Sequence, residues 1–188
     1  MKILLINACV REESRTKRLA DHFIDKLGGS VREIRVWEQK YPIVDRDFLK
    51  MRDSLISKGK LDAPCFRLAR DFADADIIVV AAPYWDLSFP AALKNYFEQI
   101  NVVGLTFRYS QEGIPIGLVK AKKLYYITTA GGDFTPLEYG YGYVKALAQG
   151  FYQIPEVELI SAKGLDIIGA DAEEIIKQAE KQIDDLLN

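Results

Sequence analysis

Apolar positions along the chain follow two alternating rhythms. Unbroken runs at Lys2 to Ile6 and at Ile77 to Ala82 read as strands buried on both faces. Between them Leu19, Ala20, Phe23, Ile24 and Leu27 recur at helical spacing and stop at Gly28-Gly29. The stretch "VREIRVW" alternates as a second strand, and the mixed segment from Pro42 to Lys60 predicts a loop and a short helix. From Pro64 the positions Phe66, Leu68, Ala69, Phe72 and Ala73 predict a helix leading into the strand at Ile77. A helix follows at about Ala91 to Ile100. Then "KKLYYITTA" reads as a fourth strand, "LEYGYGYVKALAQGFY" as a loop running into a helix, "EVELISAKGL" as a fifth strand, and Asp171 to Leu187 as an amphipathic helix.

Five strands this apolar, separated by helices, require an α/β fold: a five-stranded parallel sheet with helices on both faces and right-handed crossovers. Residues 1–188 are expected to form a single domain, with no internal repeat or linker. Ligands of such sheets bind outside the carboxyl ends of the strands. The loops that matter are therefore Asn7 to Thr16, Pro83 to Pro90 and Thr128 to Pro136.

Composition narrows the chemistry. Hydrophobic residues make up 49% and charged residues 28%, which excludes a disordered chain. The net charge of −2 and the scattered basic residues give no footprint for nucleic acid or an anionic membrane, so a small-molecule partner is expected. The apolar run of "MKILLINACV" is too short to span a membrane and has no signal-cleavage pattern. Two cysteines, Cys9 and Cys65, form neither a disulfide framework nor a metal cluster, and the expected location is the cytoplasm. The one histidine, His22, pairs with neither cysteine in sequence, so no metal site is expected. Asn7 and Pro83 stand where a phospho-receiver domain needs acidic residues, which removes that reading.

Each loop has a distinct character. "NACVREESRT" lacks both the G-x-G-x-x-G of dinucleotide folds and the G-x-x-x-x-G-K-[ST] of phosphate loops. It brings Ser14 and Thr16 to a helix N-terminus near Lys17, where hydroxyls either cap the helix or hold a phosphomonoester. "PYWDLSF" offers an apolar wall and backbone N–H groups suited to a flat amphipathic ring, with the packing of its aromatics on a neighbouring helix as the alternative. "TTAGGDFTP" places two glycines after a strand, which suits close backbone approach to a ligand or a plain turn.

The stretch "APYWDLSFPAALKNYFEQINVVGLTFRY" followed by "GLVKAKKLYYITTAGG" resembles the flavodoxin-like FMN-dependent NAD(P)H:quinone oxidoreductases and azoreductases. The resemblance runs from about Lys2 to Asp133 and is densest in that middle block. It implies a flavodoxin-like fold with FMN bound and NAD(P)H as co-substrate. The FMN phosphate would fall on Ser14, Arg15 (through its backbone) and Thr16, with Cys9 where a serine is common; a thiol donates weakly, so a backbone group can take its place. The flavin wall would fall on Pro83, Tyr84, Trp85, Asp86 and Leu87, and the glycine loop on Thr129, Ala130, Gly131 and Gly132. "TFRY" resembles the part of the family that reaches across a homodimer, making Tyr109 a candidate acceptor contact from the partner subunit. Tyr139, Tyr141 and Tyr143 could wall the flavin or simply pack at a helix start.

The implied activity is two-electron transfer from NAD(P)H through flavin to a quinone, azo compound or similar flat acceptor. A flavin carries the hydride itself, which agrees with loops that lack strong acids and bases. With no segment after the last helix to hold an AMP half, FMN is expected rather than FAD. The alternatives are a flavodoxin-type electron carrier and a non-catalytic flavin- or nucleotide-sensing subunit. The near-neutral charge disfavours the carrier.

Overall fold

A computed structural model of the chain describes residues 1–188. Its main sheet has five parallel strands: β1 (Lys2–Asn7), β2 (Ser30–Arg35), β3 (Ile77–Ala81), β6 (Lys123–Thr129) and β7 (Glu156–Ala162), in the order β2-β1-β3-β6-β7. The helices are α1 (Arg15–Leu27), α2 (Arg46–Ser57), α3 (Arg67–Ala73, entered through a 3-10 turn at Pro64–Phe66), α4 (Ala91–Ile100), α5 (Tyr141–Gly150) and α6 (Ala172–Leu187). The expected five strands and their order along the chain are all present. Strand ends differ slightly: β2 stops at Arg35 and β7 at Ala162, short of the apolar runs "VREIRVW" and "EVELISAKGL".

Burial explains the layering. Along β3, Ile78 and Val80 point into one core with Phe66, Phe72, Tyr96, Phe97 and Tyr152. Val79 and Ala81 point into the other, with Leu19, Phe23, Ile176 and Ile183 from α1 and α6. A strand covered on both faces has no use for polar residues, which is why its sequence is continuously apolar. Each fully buried Phe or Ile contributes about 1.5–3 kcal/mol relative to exposure. The edge strand β2 carries exposed Arg32, Glu33 and Arg35, charges that discourage pairing with another sheet.

Helix α1 is also tied to α6 by charge. Arg18 pairs with Glu173 at 2.7 Å and Glu180 at 2.8 Å, and His22 and Lys26 both reach Asp184 at 2.8 and 3.1 Å. The His22–Asp184 contact accounts for the single histidine.

One element has no counterpart in the strand pattern of the sequence. The residues Phe107–Tyr109 (β4) and Pro115–Gly117 (β5) form a small antiparallel hairpin, turning at Gly113 (φ 79°). Three residues per strand are too few for alternation to register. The hairpin seats Gly117 directly on the Tyr152 carbonyl, where a Cβ would overlap backbone. No helix is long and apolar enough to cross a membrane.

Candidate functional site

From β1 the chain turns to β2 on one side, and from β2 it crosses to β3 on the other. The loops after β1 and β3 therefore diverge and leave a crevice between them. A cleft of about 230 Å³ lies there, lined by the first loop and α1 (Val10, Arg11, Glu13, Ser14, Arg15, Thr16), the loop after β3 (Pro83, Tyr84, Trp85), the loop after β6 (Thr129, Ala130, Gly131), and Asp166.

The first wall is the N-terminus of α1. The Ser14 hydroxyl accepts from the Lys17 N–H at 3.2 Å and so caps the helix. The N–H groups of Arg15 and Thr16 have no partner within the protein and stand at the positive end of the helix dipole. The Thr16 hydroxyl is fully buried and shares a 2.6 Å hydrogen bond with the Thr129 hydroxyl, which ties the first wall to the third.

Cys9 lies beneath this wall rather than along it. Its thiol donates to the Ala81 carbonyl at 3.6 Å, while its backbone N–H donates to Asn7 Oδ1 at 2.8 Å. Asn7 in turn donates to Glu33 at 2.6 Å. Burial pushes the Cys9 thiol up from 9.0 to about 11. The unfolded thiol thus ionises first, and stability falls as pH rises from 9 toward 11, by up to about 2–3 kcal/mol. Urea midpoints compared near pH 7 and near pH 10 should drop further for the wild type than for Cys9→Ser. Equal drops would mean that the thiol is solvated.

The second wall is a tight hairpin turn. Trp85 and Ser88 exchange both backbone hydrogen bonds, at 3.1 and 2.8 Å, around Asp86 (φ 49°) and Leu87 (φ 68°). Two successive left-handed residues define a type I′ turn, which normally recruits Asn, Asp or Gly. Asp86 fits that preference and Leu87 does not. The Leu87 side chain is half exposed, so little packing offsets its strain. Leu87→Gly should therefore raise stability by about 1 kcal/mol; an unmoved urea midpoint would refute strain at this turn. The Asp86 and Leu87 N–H groups have no partner within the protein.

The loop after β6 supports this turn from behind. The Ser88 hydroxyl donates to the Tyr139 carbonyl at 2.6 Å, and the Tyr84 hydroxyl to the Pro136 carbonyl at 3.3 Å. Of the three tyrosines near α5, only Tyr139 is exposed. Tyr141 donates to the Val157 carbonyl at 3.0 Å, and the Tyr143 ring lies 5.7 Å from Phe89 and 6.0 Å from Phe97, so both are packing residues.

The third wall continues past the sheet. Ala130 donates to Ala162, Leu165 to Ala130 at 3.2 Å, Asp166 to Gly131 at 2.9 Å and Gly164 to Gly132 at 3.2 Å. The glycine loop therefore runs beside residues 164–166, and the N–H groups of Gly131 and Gly132 remain without partners. A Cβ on Gly131 would overlap Asp166 Oδ2, which explains the glycine by close approach.

Of the residues singled out in the sequence, Ser14, Arg15, Thr16, Pro83, Tyr84, Trp85, Thr129, Ala130 and Gly131 line one cleft. Asp86, Leu87 and Gly132 adjoin it in the same loops, Cys9 lies under it, and Tyr109 stands on the separate β4–β5 hairpin with its side chain half exposed. Asp166, Arg11, Glu13 and Val10 complete the lining. Asp166 had a readable signal, because the loop after the fifth strand opens at the same end of the sheet as the other three.

Among curated proteins, the chain is 36% identical over 190 residues to an FMN-dependent NADH:quinone oxidoreductase of Lachnoclostridium phytofermentans, covering 96% of this chain and 95% of that one. It is likewise 36% identical over 196 residues to an FMN-dependent NADH:quinone oxidoreductase of Clostridium perfringens, covering 97% and 96%. An azoreductase structure from Bacillus anthracis superposes with a TM-score of 0.84 at 25% identity, over 100% of this chain and 99% of the other. The family characterised by a flavodoxin-like fold matches residues 1–187. Strand order, crevice and sequence thus agree, and the chain belongs to the flavodoxin-like fold family.

Proposed function

We propose that this protein is an FMN-dependent NADH:quinone oxidoreductase that also reduces other flat acceptors such as azo compounds. The observation that carries the reading is the convergence of unpaired backbone N–H groups, from Arg15, Thr16, Asp86, Leu87, Gly131 and Gly132, around one cleft at the switch point of the sheet. Full-length similarity to relatives named for that activity supports it. FMN fits these donors: a dianionic phosphate suits the N-terminus of α1, and a ring edge rich in acceptors suits the turn and the glycine loop.

When bound, FMN supplies the acceptance and delivery of two electrons as hydride. The chain's own residues do the rest. Arg15 and Thr16 N–H groups and the Ser14 hydroxyl hold the phosphate. Tyr84 and Trp85 offer an apolar wall that excludes water from one side of the ring. The Asp86, Leu87, Gly131 and Gly132 N–H groups orient the ring's polar edge and favour negative charge accumulating there. No side chain in the cleft needs to act as a strong base.

The working unit in this reading is a cytoplasmic homodimer, with Tyr109 of one subunit meeting the acceptor in the other's cleft. Supporting it are the half-exposed Tyr109 ring and the helix α2, which buries none of its side chains completely and leaves Met51 and nearby Ile43 exposed. The experiment is a visible spectrum of protein mixed with FMN and gel-filtered, repeated on anaerobic addition of NADH. A retained yellow band that bleaches supports the assignment. Retained flavin that stays yellow would indicate a carrier or sensor, and no retained flavin would refute the cofactor.

A further inference from the structure

Arg15 opens α1, yet its side chain bends across the cleft to the opposite wall. Its guanidinium donates to the Leu165 carbonyl at 3.2 Å and to Asp166 Oδ1 at 2.7 Å. The neighbouring cations of the same helix are engaged elsewhere, Lys17 with Asp21 and Arg18 with Glu173 and Glu180. The receiving side is itself anchored. Leu165 is buried and bonded to Ala130, Asp166 is bonded through its backbone to Gly131, and the second carboxylate oxygen of Asp166 lies in the space that Gly131 leaves by having no Cβ.

We propose that Asp166 is a positioning residue that clasps the Arg15 guanidinium across the cleft, making this side chain the cation that selects flavins bearing a 5′-phosphate over those without one. The inference rests on the FMN reading above and adds to it a side-chain role for Arg15 and a role for Asp166. A guanidinium has five donors in a rigid fork. Two are taken by Leu165 and Asp166, and those left can receive phosphate oxygens in the charge-assisted geometry that arginine favours. An exposed ion pair adds little stability by itself. Its value here is in holding a long side chain in one place before the ligand arrives, which reduces the ordering cost of binding.

The test is fluorescence titration with FMN and with riboflavin, on the wild type, Asp166→Ala, Asp166→Asn, Arg15→Gln and the Asp166→Ala/Arg15→Gln double variant, with thermal melts as fold controls. We expect Asp166→Ala and Arg15→Gln each to raise the FMN Kd about tenfold, with the double variant no worse than Arg15→Gln, because residues acting through one another are not additive. Asp166→Asn retains an acceptor for the guanidinium and should fall between wild type and Asp166→Ala. Riboflavin, lacking the phosphate, should change less than about twofold across the set. An unchanged FMN Kd in Asp166→Ala, or an equal weakening of riboflavin, would overturn the clasp while leaving the FMN assignment standing. Failure of the wild type to bind either flavin would overturn the assignment itself.

Discussion

Gly131→Val is expected to abolish FMN retention while leaving the chain folded. The glycine sits where its missing Cβ lets Asp166 lie flush against the backbone, and a branched side chain there would displace Asp166 and fill the cleft. The N–H groups of Gly131 and Gly132 would then no longer approach a ring, and the Arg15 ion pair would break. A loss of about a hundredfold in FMN affinity corresponds to about 2.7 kcal/mol, the range of one or two well-made hydrogen bonds to a charged or polar group. The fold should survive because Gly131 lies outside both core clusters, so the thermal midpoint measured without flavin should stay near wild type. Wild-type retention of FMN by a folded Gly131→Val protein would mean that the loop is a turn and nothing more.

Gly117→Val should have the opposite profile, damaging the fold first. A Cβ at Gly117 would overlap the carbonyl of Tyr152, and that residue cannot yield: it is buried, its ring packs 4.8 Å from Phe72, and its hydroxyl donates to Asn101 Oδ1 at 2.5 Å. The hairpin would have to lift off instead, losing the Gly117 N–H bond to Gln153 at 3.1 Å and the Leu118 bond to Thr106 at 3.0 Å. Overpacking against backbone of this kind costs about 3 kcal/mol. For a chain of this length that lowers Tm by about 6–12 °C. A Tm within about 2 °C of wild type would show that the hairpin is only loosely seated. Because Tyr109 ends β4, a lifted hairpin should also slow turnover with acceptors if the two subunits share their sites as proposed.

How much of this was legible in the sequence differs by element. The interior strands β1, β3 and β6 were, because a strand covered on both faces must be apolar throughout, and "IIVVAA" has no other reading that suits its length; the edge strand β2, mostly exposed, was legible through alternation instead. Their common end, and so the three loops, followed from parallel topology alone. Helix α2 was blurred, since it buries no side chain completely and its apolar pattern is weak. The β4–β5 hairpin was missed because it is defined by the Tyr152 carbonyl and by Gly113, not by a pattern within its own six strand residues. In the site, residue positions were readable but side-chain directions were not. The Thr16 hydroxyl turns to Thr129, the Cys9 thiol turns under the loop, and Arg15 crosses to Asp166, each set by a partner more than 70 residues away.

The strand order also fixes the timetable of folding. β1 is made before the other four strands of its sheet, yet it lies in the interior, flanked by β2 and β3. Its second partner begins at Ile77, so on a ribosome adding about 5–20 residues per second β1 waits roughly 4–15 s for that edge to be covered. During that interval one edge of its backbone has no partner, and Leu4 and Ile6 lack much of the core they join, including Ile78, Val80 and Tyr96. The nascent chain is then most open to strand pairing with other chains, and a chaperone that shields short apolar segments would act on this protein before its cleft exists.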